Sequence, residues 1–167
     1  AVLPAADARW YRSQGGNPGG QYAQDMAARL WALGIRAPGF NTEALRRTYT
    51  FLERNWMRVS NRRYVTIIDY SQPSSQERMY IFNLEAGTVE RLRVAHGAPQ
   101  NARGLALERP AGFSNAIESG RSSVGAFLTG LAPRNSSRVG LALDIQGLES
   151  TNSNSMVRGT PIHGAWY

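Results

Sequence analysis

The sequence predicts a mainly β, α+β domain with helices at its N-terminal end, and three observations support this. Two early segments place apolar residues at helical spacing. From residue 64 onward, short β-branched and aromatic runs alternate with turn residues. Long Gly-, Ser- and Asn-rich stretches lie between those runs, as expected of connections between short strands.

Residues 1–20 lack a core-forming pattern and end in Gly15-Gly16-Asn17-Pro18-Gly19-Gly20, which reads as a turn or flexible linker. Residues 22–33 read as a helix, with Tyr22, Met26, Ala27, Leu30 and Leu33 on one face. Gly34 is its expected stop, and Pro38-Gly39 marks a turn. A second helix is expected to start at Asn41 or Thr42, either of which can cap it. Its apolar stripe is Ala44, Leu45, Thr48, Tyr49, Leu52 and Trp56, with Arg46, Arg47, Glu53 and Arg54 on the other side. Strands are expected at residues 64–69, 79–84 and 88–95, the last two joined as a hairpin by Glu85-Ala86-Gly87. Further strands are expected at 124–129, 139–145 and 156–162. Residues 97–123 form a connection long enough to be functional or mobile.

A chain of 167 residues with 42% hydrophobic content can build one packed domain with a small helical extension. The extension is assigned to residues 1–40 and the domain to residues 41–167. All 19 basic residues are Arg, and the formal charge is +7. This charge favours an anionic partner such as cell wall or an anionic cell-envelope surface. Nucleic-acid recognition is not expected, because charge is its only support. The absence of cysteine excludes a disulfide framework and a Cys-type zinc site within these residues. No run of about 18 apolar residues is present, so no transmembrane helix is expected. The start at Ala1, without a basic-then-apolar pattern, reads as processed or trimmed.

The chain has two histidines, His96 and His163, each ending an apolar run and each followed by glycine: Val94-Ala95-His96-Gly97 and Pro161-Ile162-His163-Gly164. A histidine at a strand end is held by a rigid element while facing a loop, and a neutral imidazole there can act as a general base. The glycine lets backbone or substrate approach closely. Ser114, Asn115, Ser122 and Ser123 sit in Ser/Asn-rich stretches that serve either turn chemistry or substrate contact. Arg121 and Arg158 either bind a peptide carboxylate or pair locally. A nucleophile elbow is unsupported, since the serines lack Gly-x-Ser-x-Gly spacing. No spacing argues for a triad of His163, Asp144 and a serine. Metal-ligand spacings and phosphate-cradling glycine loops are also lacking.

Five segments, residues 71–78, 94–97, 113–129, 140–149 and 161–167, occur in one order and together resemble the murein L,D-transpeptidase catalytic domain family. The resemblance spans most of residues 43–167 and leaves out 1–40. It implies an L,D-transpeptidase-like β-sandwich with its active site in a groove between loops. The implied reaction is acyl transfer between peptidoglycan peptide stems through a cysteine thiolate. It makes His163 the partner of that thiol and puts His96, Gly97, Ser114, Asn115, Arg121, Ser122, Ser123 and Gly164 at the substrate. Both histidines are then expected at one groove. It implies no cofactor, no metal, and a periplasmic or secreted location. In the family a Ser-x-Gly-Cys-Pro segment follows Ile-His-Gly, whereas this sequence stops at Tyr167 and has no cysteine. The expectation is a catalytic domain incomplete at its C-terminus. The alternative is a noncatalytic wall-binding or interaction protein of the same fold.

Overall fold

The structure, a computed structural model, describes residues 21–55, 59, 61–97 and 107–164. The linker expected in residues 1–20, Trp56, and residues 98–106 of the long connection lie outside the described residues, as do Ala165, Trp166 and Tyr167. Two helices and several small antiparallel sheets make a mixed α+β chain. It divides into two units, Ala1–Ala95 and His96–Tyr167.

In the first unit, α1 (Gln21–Gly34) and α2 (Thr42–Asn55) pack with a three-stranded sheet of β1 (Tyr64–Ile68), β2 (Met79–Asn83) and β3 (Thr88–Leu92), in the order β1-β2-β3. Most of the expected helix stripes are buried, Met26, Ala27 and Leu30 from α1 and Leu45, Tyr49 and Leu52 from α2; Leu33, Ala44 and Thr48 are half-buried, and the Tyr22 side chain lies outside the described residues. A turn with Pro38 at its first corner and Gly39 at its second separates the helices. Phe40 N–H bonds the Ala37 carbonyl at 3.3 Å, and φ of +68° at Gly39 is the type II geometry that favours glycine. Asn41 caps α2 through its side-chain oxygen, which accepts the Glu43 amide at 2.9 Å and the Ala44 amide at 3.4 Å.

The central strand β2 contributes Tyr80 and Phe82, both fully buried, to the face that meets the helices. Their cross-strand partners are Ile67 and Val65 on β1, and Arg91 and Val89 on β3. Period-two alternation puts these rows on one face. Phe40 meets Tyr80 and Phe82 edge-on at 4.6 and 5.7 Å. Each such buried large apolar side chain contributes about 1.5–3 kcal/mol of burial free energy. The β2–β3 connection is held by Asn83, whose side-chain oxygen accepts the Glu85 and Ala86 amides at 3.2 and 3.0 Å. The expected hairpin is therefore present, with β3 ending at Leu92.

One residue of α2 departs from expectation. Glu53, assigned to the solvated side, is only 2% exposed. It lies one helical turn after Tyr49, on the stripe, and the Tyr49 hydroxyl donates to its Oε1 at 3.3 Å.

The turn between β1 and β2 encloses a second charged group. Arg78 is fully buried and donates through Nε and Nη2 to the Val94 carbonyl at 3.0 and 2.8 Å, and through Nη1 to the Gln72 carbonyl at 3.0 Å. Buried Asp69 accepts from the Ser71 amide and hydroxyl and from Gln72 Nε2.

The second unit contains β4 (Phe127–Thr129), β5 (Arg134–Ser136), β6 (Gly140–Leu143), β7 (Ile145–Gly147) and β8 (Ile162–His163). β4 pairs with β7, and β6 lies between β5 and β8. The strand expected at 139–145 is two strands that serve different sheets. The break falls at Asp144, whose carbonyl accepts the Gly130 amide at 2.8 Å. The strand expected at 124–129 begins only at Phe127, because the Val124 carbonyl is taken by the Thr151 hydroxyl at 2.9 Å. Most of the strand expected at 156–162 is instead a run of turns reaching Gly159. Asn154, Met156 and Ser155 carbonyls accept the Arg158, Gly159 and Thr160 amides, so that backbone bonds within the segment. Among the described residues, the buried set of this unit is Ala142 with three polar residues, Ser123, Asn152 and Ser155.

Candidate functional site

The second unit begins with His96-Gly97, and a chain of hydrogen bonds leads from it into the described part of the long connection. The Gly97 amide donates to Ser122 Oγ at 2.9 Å, and the Ser114 amide donates to the Ser122 carbonyl at 3.0 Å. Gly97 lies so close to residues 120–122 that a Cβ would press on the Gly120 carbonyl, the Arg121 carbonyl carbon and the Ser122 nitrogen. These are backbone atoms that cannot swing aside, so this is a close approach that only glycine permits. His96 is half-buried, with Nε2 turned away from solvent.

Ser123 and Arg158 stand behind this segment. Ser123 Oγ donates to the Ser114 carbonyl at 3.0 Å and receives Arg158 Nη1. Arg158 also reaches the Ser114 carbonyl at 2.8 Å, Ser119 Oγ at 3.1 Å and the Arg121 carbonyl. Asn115 is tied to the turn region. It donates to the Ser150 carbonyl at 2.8 Å and Ser153 Oγ at 3.0 Å, accepts the Asn154 amide at 3.0 Å, and its own carbonyl accepts Asn154 Nδ2 at 3.0 Å. The side chains of Asn115, Ser122 and Ser123 and the main chain of Ser114 are thus bonded within the unit; Ser123 is buried and the other three are half-buried. Arg121 differs: it is exposed, and among the described residues it makes no ion pair.

His163 and Gly164 lie at the end of β8, where His163 pairs with Ala142 of β6. His163 is half-buried and Gly164 exposed. The His163 Nδ1 lies 2.9 Å from the Gly164 carbonyl oxygen. A carbonyl only accepts, so this contact assigns the proton of the neutral ring to Nδ1 and leaves Nε2 as the basic nitrogen. Asp144 is not a partner for this imidazole. It makes a bidentate pair with Arg134 at 2.7 and 2.8 Å, which holds its carboxyl below the usual carboxylate range.

The sequence-derived residues therefore fall into two groups. Gly97, Ser114, Ser122, Ser123 and Arg121 share one network with Asn115 anchored beside it, while His163 and Gly164 close a strand. Arg158 connects the two, since it precedes β8 in the chain and grips the 114–121 loop. Sequence reading gave Arg158 two roles and left its hub position unseen; its acceptors are mostly main-chain carbonyls and serine hydroxyls, which carry no charge signal. Among the described residues no cluster of three metal-ligating side chains occurs, and no helix is long and apolar enough to cross a membrane.

No curated protein and no solved structure matches the chain. The family model for the L,D-transpeptidase catalytic domain matches residues 36–167, well over half of the sequence, and covers both His-Gly segments. The chain belongs to the L,D-transpeptidase catalytic domain family.

Proposed function

We propose that this domain acts on the peptide stems of peptidoglycan in the cell envelope, periplasmic or secreted, at a groove lined by its two His-Gly segments. The observation that carries the proposal is the family match over residues 36–167 together with an imidazole whose Nε2 is left basic at a strand end. In this reading the small antiparallel sheets belong to the family's β-sandwich. His163 is the base beside the nucleophile, and His96, Gly97, Gly164, Ser122 and Ser123 shape the groove with Ser114 and Asn115 behind them. Arg121, exposed and without an ion pair among the described residues, is the anchor for a stem carboxylate.

The reaction of that groove is acyl transfer by a cysteine. The imidazole draws the thiol proton to give a thiolate. The thiolate attacks the carbonyl of the third residue of a tetrapeptide stem, and backbone amides hold the oxyanion. The bond to the terminal D-alanine breaks, and its amine leaves with a proton from the imidazolium. The acyl group then passes to the side-chain amine of a neighbouring stem, or to water. These 167 residues contain no cysteine, so this chain by itself binds stems without turning them over. The second reading, a noncatalytic wall-binding or interaction protein, is favoured by that same absence.

Retention on purified peptidoglycan tests the binding step. With a charge of +7, retention is expected at low salt and weakens as salt rises, because exposed charges are screened over about 10 Å at 0.1 M. Equal retention at low and high salt refutes the electrostatic part. Tighter, saturable binding to DNA refutes the proposal.

A further inference from the structure

We infer that Arg158 is a positioning residue: it locks the 114–123 loop, and through it the His96-Gly97 segment, to the chain that enters the His163 strand. The inference rests on the groove reading above and adds to it the device that sets the two His-Gly segments in one frame.

The hydrogen-bond inventory supports this role. Nη1 serves the Ser114 carbonyl and Ser123 Oγ, and Nη2 serves Ser119 Oγ and the Arg121 carbonyl. Both terminal nitrogens of the fork are committed, which leaves no bidentate face for a substrate carboxylate. The alternative role of Arg158 as a stem anchor is therefore disfavoured, and exposed Arg121 takes that place. Four acceptors spread over residues 114–123 need donors at fixed, separated positions. A planar guanidinium supplies them; a lysine ammonium presents all its donors from one atom.

The lock then extends outward by two bonds. The Ser114 amide holds the Ser122 carbonyl at 3.0 Å, and Ser122 Oγ holds the Gly97 amide at 2.9 Å. The Asn115–Asn154 pair joins the same two segments a second time, with bonds of 3.0 Å in both directions. Ser123, at the centre, is 9% exposed, so the bonds around it are shielded from competing water. Asn115 adds bonds to the Ser150 carbonyl and Ser153 Oγ, but among these contacts Arg158 is the group that reaches residues 114, 119, 121 and 123 at once.

The test compares Arg158→Ala and Arg158→Lys with the parent chain, using amide hydrogen exchange, imidazole NMR resonances, and titration with a disaccharide tetrapeptide. With two histidines in the chain, the imidazole signals are few enough to assign by substitution. In Arg158→Ala the Ser114 and Gly97 amides are expected to exchange roughly 100-fold faster. The His96 resonance moves and tetrapeptide binding is lost, while millimolar guanidinium restores all three. Arg158→Lys keeps the charge and the aliphatic stem, so it reports even where alanine does not fold, and it is expected to leave Gly97 unprotected. Arg134→Ala removes a guanidinium bonded to Asp144 and is expected to change neither amide. The role of Arg158 is overturned if Arg158→Lys keeps both amides protected and the His96 resonance in place. A parent chain that binds no tetrapeptide overturns the groove reading instead, and leaves the exchange results to judge Arg158 alone.

Discussion

Replacing Glu53 by glutamine is expected to remove most of the pH dependence of the first unit's stability. Glu53 is 2% exposed, and its one bond is the 3.3 Å contact from the Tyr49 hydroxyl to Oε1. Oε2 is buried without a hydrogen-bond partner among the described residues, as are Trp31 Nε1 and Thr50 Oγ1. Burial raises the Glu53 carboxyl from its ordinary value near 4.5 to about 7. Burial also raises the Tyr49 phenol, which stays the donor across this range. Below pH 4.5 folded and unfolded chains both carry the proton, and the protonated pair is fully stabilising. Between 4.5 and 7 the unfolded chain has lost the proton and the folded one retains it, so stability falls as pH rises. At about 1.4 kcal/mol per unit, the loss from 4.5 to about 7 comes to roughly 3.5 kcal/mol and levels off above pH 7. Glutamine has nothing to ionise. Urea unfolding at pH 5, 6, 7 and 8, followed by tryptophan fluorescence, measures this, since Trp31 packs edge-on to Tyr49 at 6.4 Å. Glu53→Gln is expected to be roughly level with the parent at pH 5 and about 2–3 kcal/mol more stable at pH 8. Parallel profiles for the two proteins over this range would falsify the argument.

Three further outcomes are expected. Gly97→Ala forces a methyl group onto the backbone of residues 120–122 and should destabilise the second unit by about 1–3 kcal/mol, with faster exchange at the Ser114 amide; unchanged exchange contradicts the close approach. Asn152 is fully buried, accepts the Glu149 amide at 2.9 Å and donates to the Ala126 carbonyl at 2.8 Å. Asn152→Ala orphans both groups and should cost about 1–3 kcal/mol for each left unsatisfied, read from the urea midpoint. Incubated with tetrapeptide-stem muropeptides, the 167-residue chain should release no D-alanine by mass spectrometry, since it contains no thiol to take up the acyl group; release refutes the cysteine mechanism.

The first unit was largely legible because its elements obey apolar periodicity. Leu45, Tyr49 and Leu52 mark the buried face of α2, Asn41 caps it, and the hairpin after β2 closes at its expected Gly87. Glu53 is the exception in α2: its charge predicts the solvated side, but it lies a helical turn from Tyr49, on the buried stripe. The second unit resisted because polar side chains bonded to backbone hold it. Asn152, Ser155 and Arg158 hold residues 150–159 as successive turns, which take in the first part of the strand expected at 156–162. The polar run Arg134-Asn135-Ser136 forms β5 with no apolar alternation to announce it. At the site, the His-Gly pattern pointed to Gly97, whose close approach the structure explains. The serines and Asn115 stand out in the sequence, but their bonding depends on partners up to 44 residues away, which spacing does not encode.

Tetrapeptide titration followed through the two imidazole signals tests the central claim most directly. A disaccharide tetrapeptide added to the parent chain is expected to shift the His163 resonance saturably, with His96 following at the same midpoint. His163→Ala should assign the first signal and weaken binding. A titration that leaves both imidazoles unmoved at saturating ligand contradicts the placement of the stem at the His-Gly segments.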